Sequence, residues 1–408
     1  MNKRKIINDP VYGFITIPYE IIYDIVEHPW FQRLRRIQQL GLSHLVYPGA
    51  IHTRFHHALG AMHLMGKAIN VLRTKGKEIT EKEAEAATIA ILLHDIGHGP
   101  FSHALEKTIL TNVHHEEMSI LFMQKLNQQL NNRLALAIDI FTGKYHKKFL
   151  HQLVSSQLDV DRLDYLTRDS YFTGVHEGVI GYDRLIEMMD VENDELVIEQ
   201  KGIYSVEKFI IARRVMYWQV YLHKTVICAE QMLIKTLKRA KYLAKSGTHL
   251  FATPALHFFL YHDVELKDFN TNVELLDMYA HLDDTDIYAS LKEWERCDDK
   301  VLSFLSRGII NRKLFRIELE SEPISAQKIN KITSSVKSAY NIQDEFDLQY
   351  YVFNDVTTNS AYNLEANNIN IKLRSGNVVD VTNASDHLNL AALAGTGVKH
   401  YICYPEQN

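Results

Sequence analysis

Apolar residues recur at helical spacing along most of the chain as far as about residue 305, and give way to strand-like alternation from Leu314 onward. Short apolar pieces among the turn residues Asn8-Asp9-Pro10, Gly13 and Pro18 predict a small hairpin over Val11–Ile17. Helical periodicity starts near Glu20 and runs to about Leu40 with a break at Pro29, placing Phe31, Leu34 and Ile37 on one face and Arg33, Arg35 and Arg36 on the other. The arginine cluster reads as a solvated face as readily as a functional one. Thr53 is a candidate N-cap for a helix to about Lys75, with Gly76 beyond its end. Thr80 and Glu83 form a capping box ahead of an apolar stripe through Ala84, Ala87, Ile91 and Leu92. Further helices are expected from His114 to about Leu130, over Arg133–Thr142 and over residues 149–169.

After a short helix, Leu196–Gln200 and Gly202–Ser205 read as two strands, and Val206 to about Leu243 as a long helix pair. Strands are expected at Leu314–Glu320, Gln349–Phe353, Ile369–Leu373, Val378–Val381 and Tyr401–Tyr404, with helices near Ala326–Tyr340 and Ser385–Ala394. The pattern predicts a mainly α protein. A helical domain fills residues 1–245, and a smaller helical and α+β lobe over 246–408 is expected to help oligomerise.

Composition changes this picture little. The 408 residues are 46% hydrophobic and 23% charged, as in an ordinary globular chain. A net charge of −5 supplies no general field for nucleic acid, so any phosphate site must be a local cluster. Cys228, Cys297 and Cys403 are widely spaced and read as reduced thiols of a cytoplasmic protein. Met1 to Lys5 is followed by no apolar leader, and no run approaches the roughly 20 apolar residues of a membrane span.

Histidine is the exception. Of 21 histidines, His44, His52, His56, His57, His63, His94, His98, His103, His114 and His115 fall within one stretch. At Ile91–His103 an apolar helix ends in His94-Asp95, and Gly97, Gly99 and Pro100 then turn the chain. An imidazole and a carboxylate delivered together to the end of a buried helix favour a cation between them. His57 on the preceding helix and Asp161 in D-V-D-R-L-D-Y complete two nitrogen and two carboxylate donors. That set suits one divalent ion of the Mn²⁺, Fe²⁺, Mg²⁺, Zn²⁺ or Ni²⁺ kind, with open positions for water and a phosphate oxygen. Asp159, Asp161, Asp164 and Asp169 lie on a stretch whose apolar spacing says buried, so each needs a partner. Arg213, Tyr217 and Tyr221 share a helix face; an aromatic stripe of this kind reads first as core, and the arginine weakens that reading because it seldom goes fully inside without an anion.

These pieces resemble the HD-domain phosphohydrolases, through H…HD…D and the extended H-D-I-G-H-G-P-F-S-H. The likeness is closer to the deoxynucleoside triphosphate triphosphohydrolases of the SAM-and-HD-domain type, though no SAM domain precedes the match. It runs over about residues 5–240 and includes I-N-D-P-V-Y-G, F-Q-R-L-R-R-I-Q-Q-L-G, Y-P-G-A-I-H-T-R-F-H-H-A-L-G, D-V-D-R-L-D-Y-L-T-R-D and R-R-x-M-Y-x-x-V-Y-x-H-K.

The resemblance implies a helical HD domain in which water attacks the α-phosphorus of a dNTP, releasing deoxynucleoside and inorganic triphosphate. His57, His94, Asp95 and Asp161 would bind the metal, and a second Mg²⁺ would accompany the triphosphate. An acid/base cluster falls on His98, His103 and His115. His103 would protonate the leaving 5′-oxygen, and His115, with Glu116 behind it, would hold the network. Arg54 and Arg213 would clamp phosphates. Tyr165 and Asp169 would receive the 3′-hydroxyl side of the sugar with Gln39 near it, and Tyr221 would pack by the base or ribose. Glu106 stands where the family usually has an aspartate. Lys5, Asn8, Glu27, Gln32 and Arg35 match positions that bind an activating GTP or dNTP in animal members, which implies a nucleotide-linked dimer or tetramer. Two alternatives stay open: an HD phosphohydrolase acting on a monophosphate, cyclic or modified nucleotide, and a nucleotide-liganded oligomer without catalysis.

Overall fold

A computed structural model describes residues 5–101, 103–106, 108–110, 113–359, 362, 368–385 and 397–406, leaving aside the side chains of His103 and Val273. The chain opens with β1 (Ile6–Asp9) and β2 (Gly13–Thr16), then α1 (Glu20–Glu27) and α2 (Pro29–Gln32). The helices α3 (Arg54–Thr74) and α4 (Glu81–Leu93) follow, then α5 (His103–Glu106), α6 (His115–Gln129), α7 (Ala135–Phe141), α8 (Lys148–Val154), α9 (Val160–Thr173) and α10 (Tyr182–Glu187). Next come β3 (Met189–Glu192), β4 (Glu195–Glu199), α11 (Ile203–Met216), a π-helical turn at Tyr217–Tyr221 and α12 (Lys224–Lys245).

The remainder holds α13 (Pro254–Tyr261), α14 (Leu266–Thr271), α15 (Val273–Ala280), α16 (Asp284–Trp294), α17 (Lys300–Ile310), β5 (Arg316–Glu320), α18 (Ala326–Ala339), α19 (Glu345–Leu348), β6 (Phe353–Asn359), β7 (Asn370–Lys372), β8 (Val378–Asp380), α20 (Val381–Ala384) and β9 (Gly397–Tyr404). The fold is mainly α with small sheets, as the apolar pattern predicts. The helix expected near Ser385–Ala394 lies outside the described residues beyond its first position.

Local chemistry explains most boundaries. Thr53 caps α3, and Gly76 beyond its end has φ +79°. The Thr80–Glu83 capping box closes in both directions, with Thr80 N–H donating to Glu83 at 2.8 Å and Glu83 N–H to Thr80 at 3.2 Å.

Six expectations are corrected. The first hairpin sits earlier, over 6–16, because the Asp9 carboxylate accepts N–H bonds from Val11 and Tyr12 and so fixes the turn there. The segment after Pro29 tightens into a 3₁₀ turn over Arg33–Arg36 rather than running to Leu40. Within it Arg33 is fully buried and not on a solvated face. Residues 149–169 form two helices, because Asp159 accepts the Ser156 and Arg162 amides and starts α9 afresh. Gly202–Ser205 belongs to the entry of α11 and not to a strand; β4 pairs instead with β3, across Asn193 and Asp194, both at positive φ. The expected strand at Gln349–Phe353 begins only at Phe353, as α19 precedes it.

The core does not divide at residue 245. α12 packs on α17 and β5, and β4 pairs in parallel with β7, matching Val197 with Asn370, within the sheet β3-β4-β7-β8. A second sheet, β5-β9-β6, is antiparallel throughout. No helix among the described residues is long and apolar enough to cross a membrane.

Candidate metal centre

Three helices meet at one point. α3 packs on both α4 and α9, which brings together His57, His94 at the end of α4 and Asp161 in the first turn of α9. His57 Nε2 lies 3.1 Å from Asp161 Oδ1 and 3.3 Å from His94 Nε2, and His94 Nε2 lies 3.4 Å from the same Asp161 oxygen. Asp95 joins them, with Oδ1 3.3 Å from His94 Nε2 and Oδ2 3.8 Å from His57 Nε2.

The outer nitrogens fix the tautomers. His57 Nδ1 donates to Asp164 Oδ2 at 2.7 Å, and His94 Nδ1 donates to the Ile91 carbonyl at 2.6 Å. Both Nε2 atoms therefore turn lone pairs inward, toward each other and toward two carboxylates. Four electron-pair donors at such range are mutually repulsive unless positive charge sits among them, so the residues fit a divalent cation. Burial opposes protonation of His57, but its hydrogen bonds to Asp161 and Asp164 raise it to about 10. Burial likewise opposes ionisation of Asp161, which His94 and His57 nevertheless hold well below the usual carboxylate range.

Behind the donors lies a layer that the sequence pattern did not single out as functional. Asp164 is gripped by Arg168, with Nε and Nη2 each donating at 3.0 Å, and Arg168 Nη1 reaches on to Asp9 at 2.8 Å. All three are buried. A carboxylate behind a metal-binding imidazole orients the ring and raises its basicity. The signal was present: Asp161, Asp164 and Arg168 recur at helical spacing on one face of α9. Gly60 of α3 allows this packing, since a Cβ there would lie 2.0 Å from Asp164 Oδ1 and 2.2 Å from Arg168 Nη2.

The turn after Asp95 is clamped from three sides. Ser119 Oγ donates to the His94 carbonyl at 2.7 Å and accepts from Gly97 N–H at 2.9 Å. Tyr279 OH donates to the Gly97 carbonyl at 2.8 Å, and Arg33 Nη2 to the Ile96 carbonyl at 2.7 Å. Arg33 also reaches the Leu282 carbonyl at 3.2 Å, so α15 and the residues after it support the turn. A Cβ at Gly97 would lie 2.3 Å from the backbone of α6.

Beside the donors, His98 and His115 stack with ring centroids 3.8 Å apart. His98 Nε2 lies 3.2 Å from Asp95 Oδ1, while His115 meets Glu106 at 3.0 Å and the exposed Glu116 at 3.3 Å. Burial, then the nearby Arg54 guanidinium, lowers His98 to about 3 and keeps it neutral. Arg54 Nη1 donates to Asp95 Oδ2 at 2.5 Å. The His103 side chain lies outside the description.

Further along α9 the polar groups form a connected line. Asp169 accepts from His52 Nε2 and from Tyr221 OH, each at 2.7 Å. Burial, then the Asp169 charge, raises the Tyr221 phenol, so it stays a donor. Gln39 N–H donates to the His52 carbonyl at 3.0 Å. Tyr165 and Tyr217 pack against Tyr221, and Arg213 lies over Tyr217 with its guanidinium 5.9 Å from the ring centre. Buried atoms along this line, Gln39 Oε1, His52 Nδ1 and Arg213 Nε, have no partner among the described residues.

The residues matched to an activator fall on and around β1, α1 and α2. Lys5 donates to Tyr23 at 2.8 Å, and that bond, more than its neighbour Glu27, raises its ammonium above the ordinary value. Gln32 donates to the Val26 carbonyl at 2.7 Å and accepts from Arg35 at 2.8 Å, and Asn8 is exposed on β1.

Comparison with known proteins agrees with this geometry. The HD domain matches residues 54–169 and the HD associated region matches 180–250. Bacillus subtilis YwfO, itself uncharacterized, is 34% identical over 371 residues, 89% of this chain and 82% of that one. The deoxynucleoside triphosphate triphosphohydrolase SAMHD1 homolog of Dictyostelium discoideum is 34% identical over 60% of this chain, and human SAMHD1 28% over 60%. This chain spans 51% and 46% of those two proteins. A crystal structure of a phosphohydrolase from Bacteroides thetaiotaomicron superposes with TM-score 0.95 at 53% identity, covering 99% of this chain and 100% of that one. A hypothetical protein from Aquifex aeolicus reaches TM-score 0.73 at 26% identity, covering 98% and 96%. With its four donors, its buried carboxylate behind His57 and these relatives, the chain belongs to the metal-dependent HD-domain phosphohydrolases.

Proposed function

We propose that the chain hydrolyses deoxynucleoside triphosphates to deoxynucleoside and inorganic triphosphate. The observation that carries this reading is the line from Gln39 through His52, Asp169, Tyr221 and Tyr217 to Arg213, two turns along α9 from Asp161. Buried polar atoms without partners along such a line suit a ligand rich in hydroxyls and phosphate. One helix thus carries a metal donor at Asp161, a ring at Tyr165 and a carboxylate at Asp169, at intervals of four residues.

A bound divalent ion supplies charge neutralisation at phosphate and acidifies water. Arg54, held against Asp95 beside the donors, supplies a cation for a phosphate oxygen, and Arg213 adds a second. His103 gives its proton to the 5′-oxygen as the bond to the α-phosphorus breaks, and the attacking water supplies the new oxygen there. Asp169 accepts from the 3′-hydroxyl while held by His52 and Tyr221. Tyr165 and Tyr221 pack against the sugar and leave little room at the 2′ position.

The same reading makes Lys5, Asn8, Glu27, Gln32 and Arg35 a nucleotide activator site of a homo-oligomer in the cytoplasm. Sedimentation with and without GTP or dNTP reads that out. The substrate is tested by incubating the purified chain with Mn²⁺ and each dNTP. Nucleoside plus triphosphate is expected. Monophosphate plus pyrophosphate, or free phosphate alone, overturns the reading.

A further inference from the structure

We propose that Trp218 is a positioning residue for substrate selection, clamped by Gly397 and Lys399 of β9, through which the C-terminal sheet sets how Tyr217 and Tyr221 stand against the sugar. Trp218 is half-buried on the π-helical turn between α11 and α12. A Cβ added at Gly397 would lie 2.9 Å from its Cζ2 atom, and the Lys399 ammonium stands 4.2 Å from its ring centre. A backbone without a side chain lets the indole come close, and the ammonium two residues on attracts the ring. Pairing with β6 holds both positions, Gly397 against Asn359 and Lys399 against Thr357. They lie on the strand face that also carries the buried Tyr401 and Cys403.

The turn that Trp218 sits on needs outside support. Leu222 N–H reaches back five residues to the Tyr217 carbonyl at 2.7 Å, and His223 N–H goes to the Val220 carbonyl at 3.2 Å. In an α-helix His223 N–H would take the Gln219 carbonyl; here the Tyr47 hydroxyl donates to that carbonyl instead. Widened turns of this kind are rare, interrupt the regular ladder and occur frequently at functional sites. Tyr47 holds the backbone of this one, and β9 holds its indole.

The same five residues carry both rings of the sugar wall. Tyr217 and Tyr221 stand nearly perpendicular with centres 5.1 Å apart, and Tyr221 OH donates to Asp169 at 2.7 Å. Tyr217 is the neighbour of Trp218 in the chain, so a shift of the indole is passed to it directly. Releasing the clamp should therefore loosen the wall at the 2′ position and admit ribonucleotides. That consequence rests on the dNTP reading above; the contact between Trp218 and β9 does not.

The test compares kcat/KM for each dNTP with that for the matching ribonucleotide, using the full chain and Mn²⁺. The ratio should fall about tenfold in Trp218→Leu and in Gly397→Ala, which presses a methyl group on the indole. It should fall about 2- to 5-fold in Lys399→Met, which removes the charge over the ring, and return to the parent value in Lys399→Arg. A merely structural role would slow both substrates alike, so an unchanged ratio in all three variants overturns the proposal. If Trp218→Leu fails to fold, Lys399→Met decides, since it keeps the length of the side chain. If the parent shows no preference for dNTPs, the substrate reading falls by itself, and hydrogen exchange of the ligand-free chain decides the clamp. Amides of residues 217–223 should then exchange about 2- to 5-fold faster in Lys399→Met than in the parent or Lys399→Arg. Equal rates would overturn it.

Discussion

Asp164 takes the outer hydrogen of His57 at 2.7 Å, and this one bond decides which nitrogen faces the metal centre. Replacing Asp164 with Asn keeps the volume but removes the charge that stabilises the ring in this orientation. Metal affinity of Asp164→Asn should fall about 10- to 100-fold. Titration of the chelator-stripped variant with Mn²⁺ measures it. Unchanged affinity would mean that Arg168 and not His57 is the reason for Asp164.

The same contact constrains the opposite helix. Gly60→Ala would push a methyl group into Asp164 and Arg168, at 2.0 and 2.2 Å. Both are buried and tied to other groups, so neither yields easily. Overpacking of this kind costs about 1–3 kcal/mol. Urea unfolding should show that loss, and metal affinity should fall with it. Gly66→Ala, where an added Cβ meets nothing within 4 Å, is the matched control on α3.

Tyr279→Phe removes the hydroxyl that donates to Gly97 and leaves a buried carbonyl with one partner fewer. The expected cost is about 1–2 kcal/mol in stability. Because Gly97 lies between Asp95 and His98, hydrolysis should also fall while the chain stays folded, as followed by product formation alongside circular dichroism. Full activity would show that the Tyr279 hydroxyl is not needed to hold the turn.

Glu83 gives a pH-dependent term. Burial would raise its carboxyl, but Lys147, Tyr145 and the Thr80 amide and hydroxyl together lower it to about 2, against an ordinary 4.5. A depressed carboxylate stabilises the fold above the unfolded value and loses that contribution as pH falls from about 4.5 toward 2. The difference is on the order of 3 kcal/mol at neutral pH. Glu83→Gln should therefore be clearly less stable than the parent at pH 7 and nearly equal to it at pH 2. A gap that stays constant with pH would assign the effect to packing.

Much of the site was legible because its chemistry is local. His94-Asp95 ends an apolar helix whose start is marked by Thr80 and Glu83, and both the box and the helix form as their spacing predicts. Gly76 likewise takes the positive φ expected beyond a helix end. What escaped was what depends on distant partners. Arg33 looks like one of three solvated arginines, yet it is buried because Ile96 and Leu282, far away in sequence, present carbonyls to it between the rings of Phe122 and Tyr279. Asp164 could be read as needing a partner, but nothing near it in sequence says that the partner is His57. The break before α9 was missed because Asp159 caps it in the middle of an apolar run.

The parallel pairing of β4 with β7 bears on how the chain is made. Val197 leaves the ribosome long before Asn370, so the hairpin of β3 and β4 must wait with one edge exposed. Closing so long a loop is slow, and an uncovered strand edge invites strands from other molecules. A nascent chain stalled near residue 245 would therefore tend to aggregate, even though every donor of the metal centre has already been synthesised.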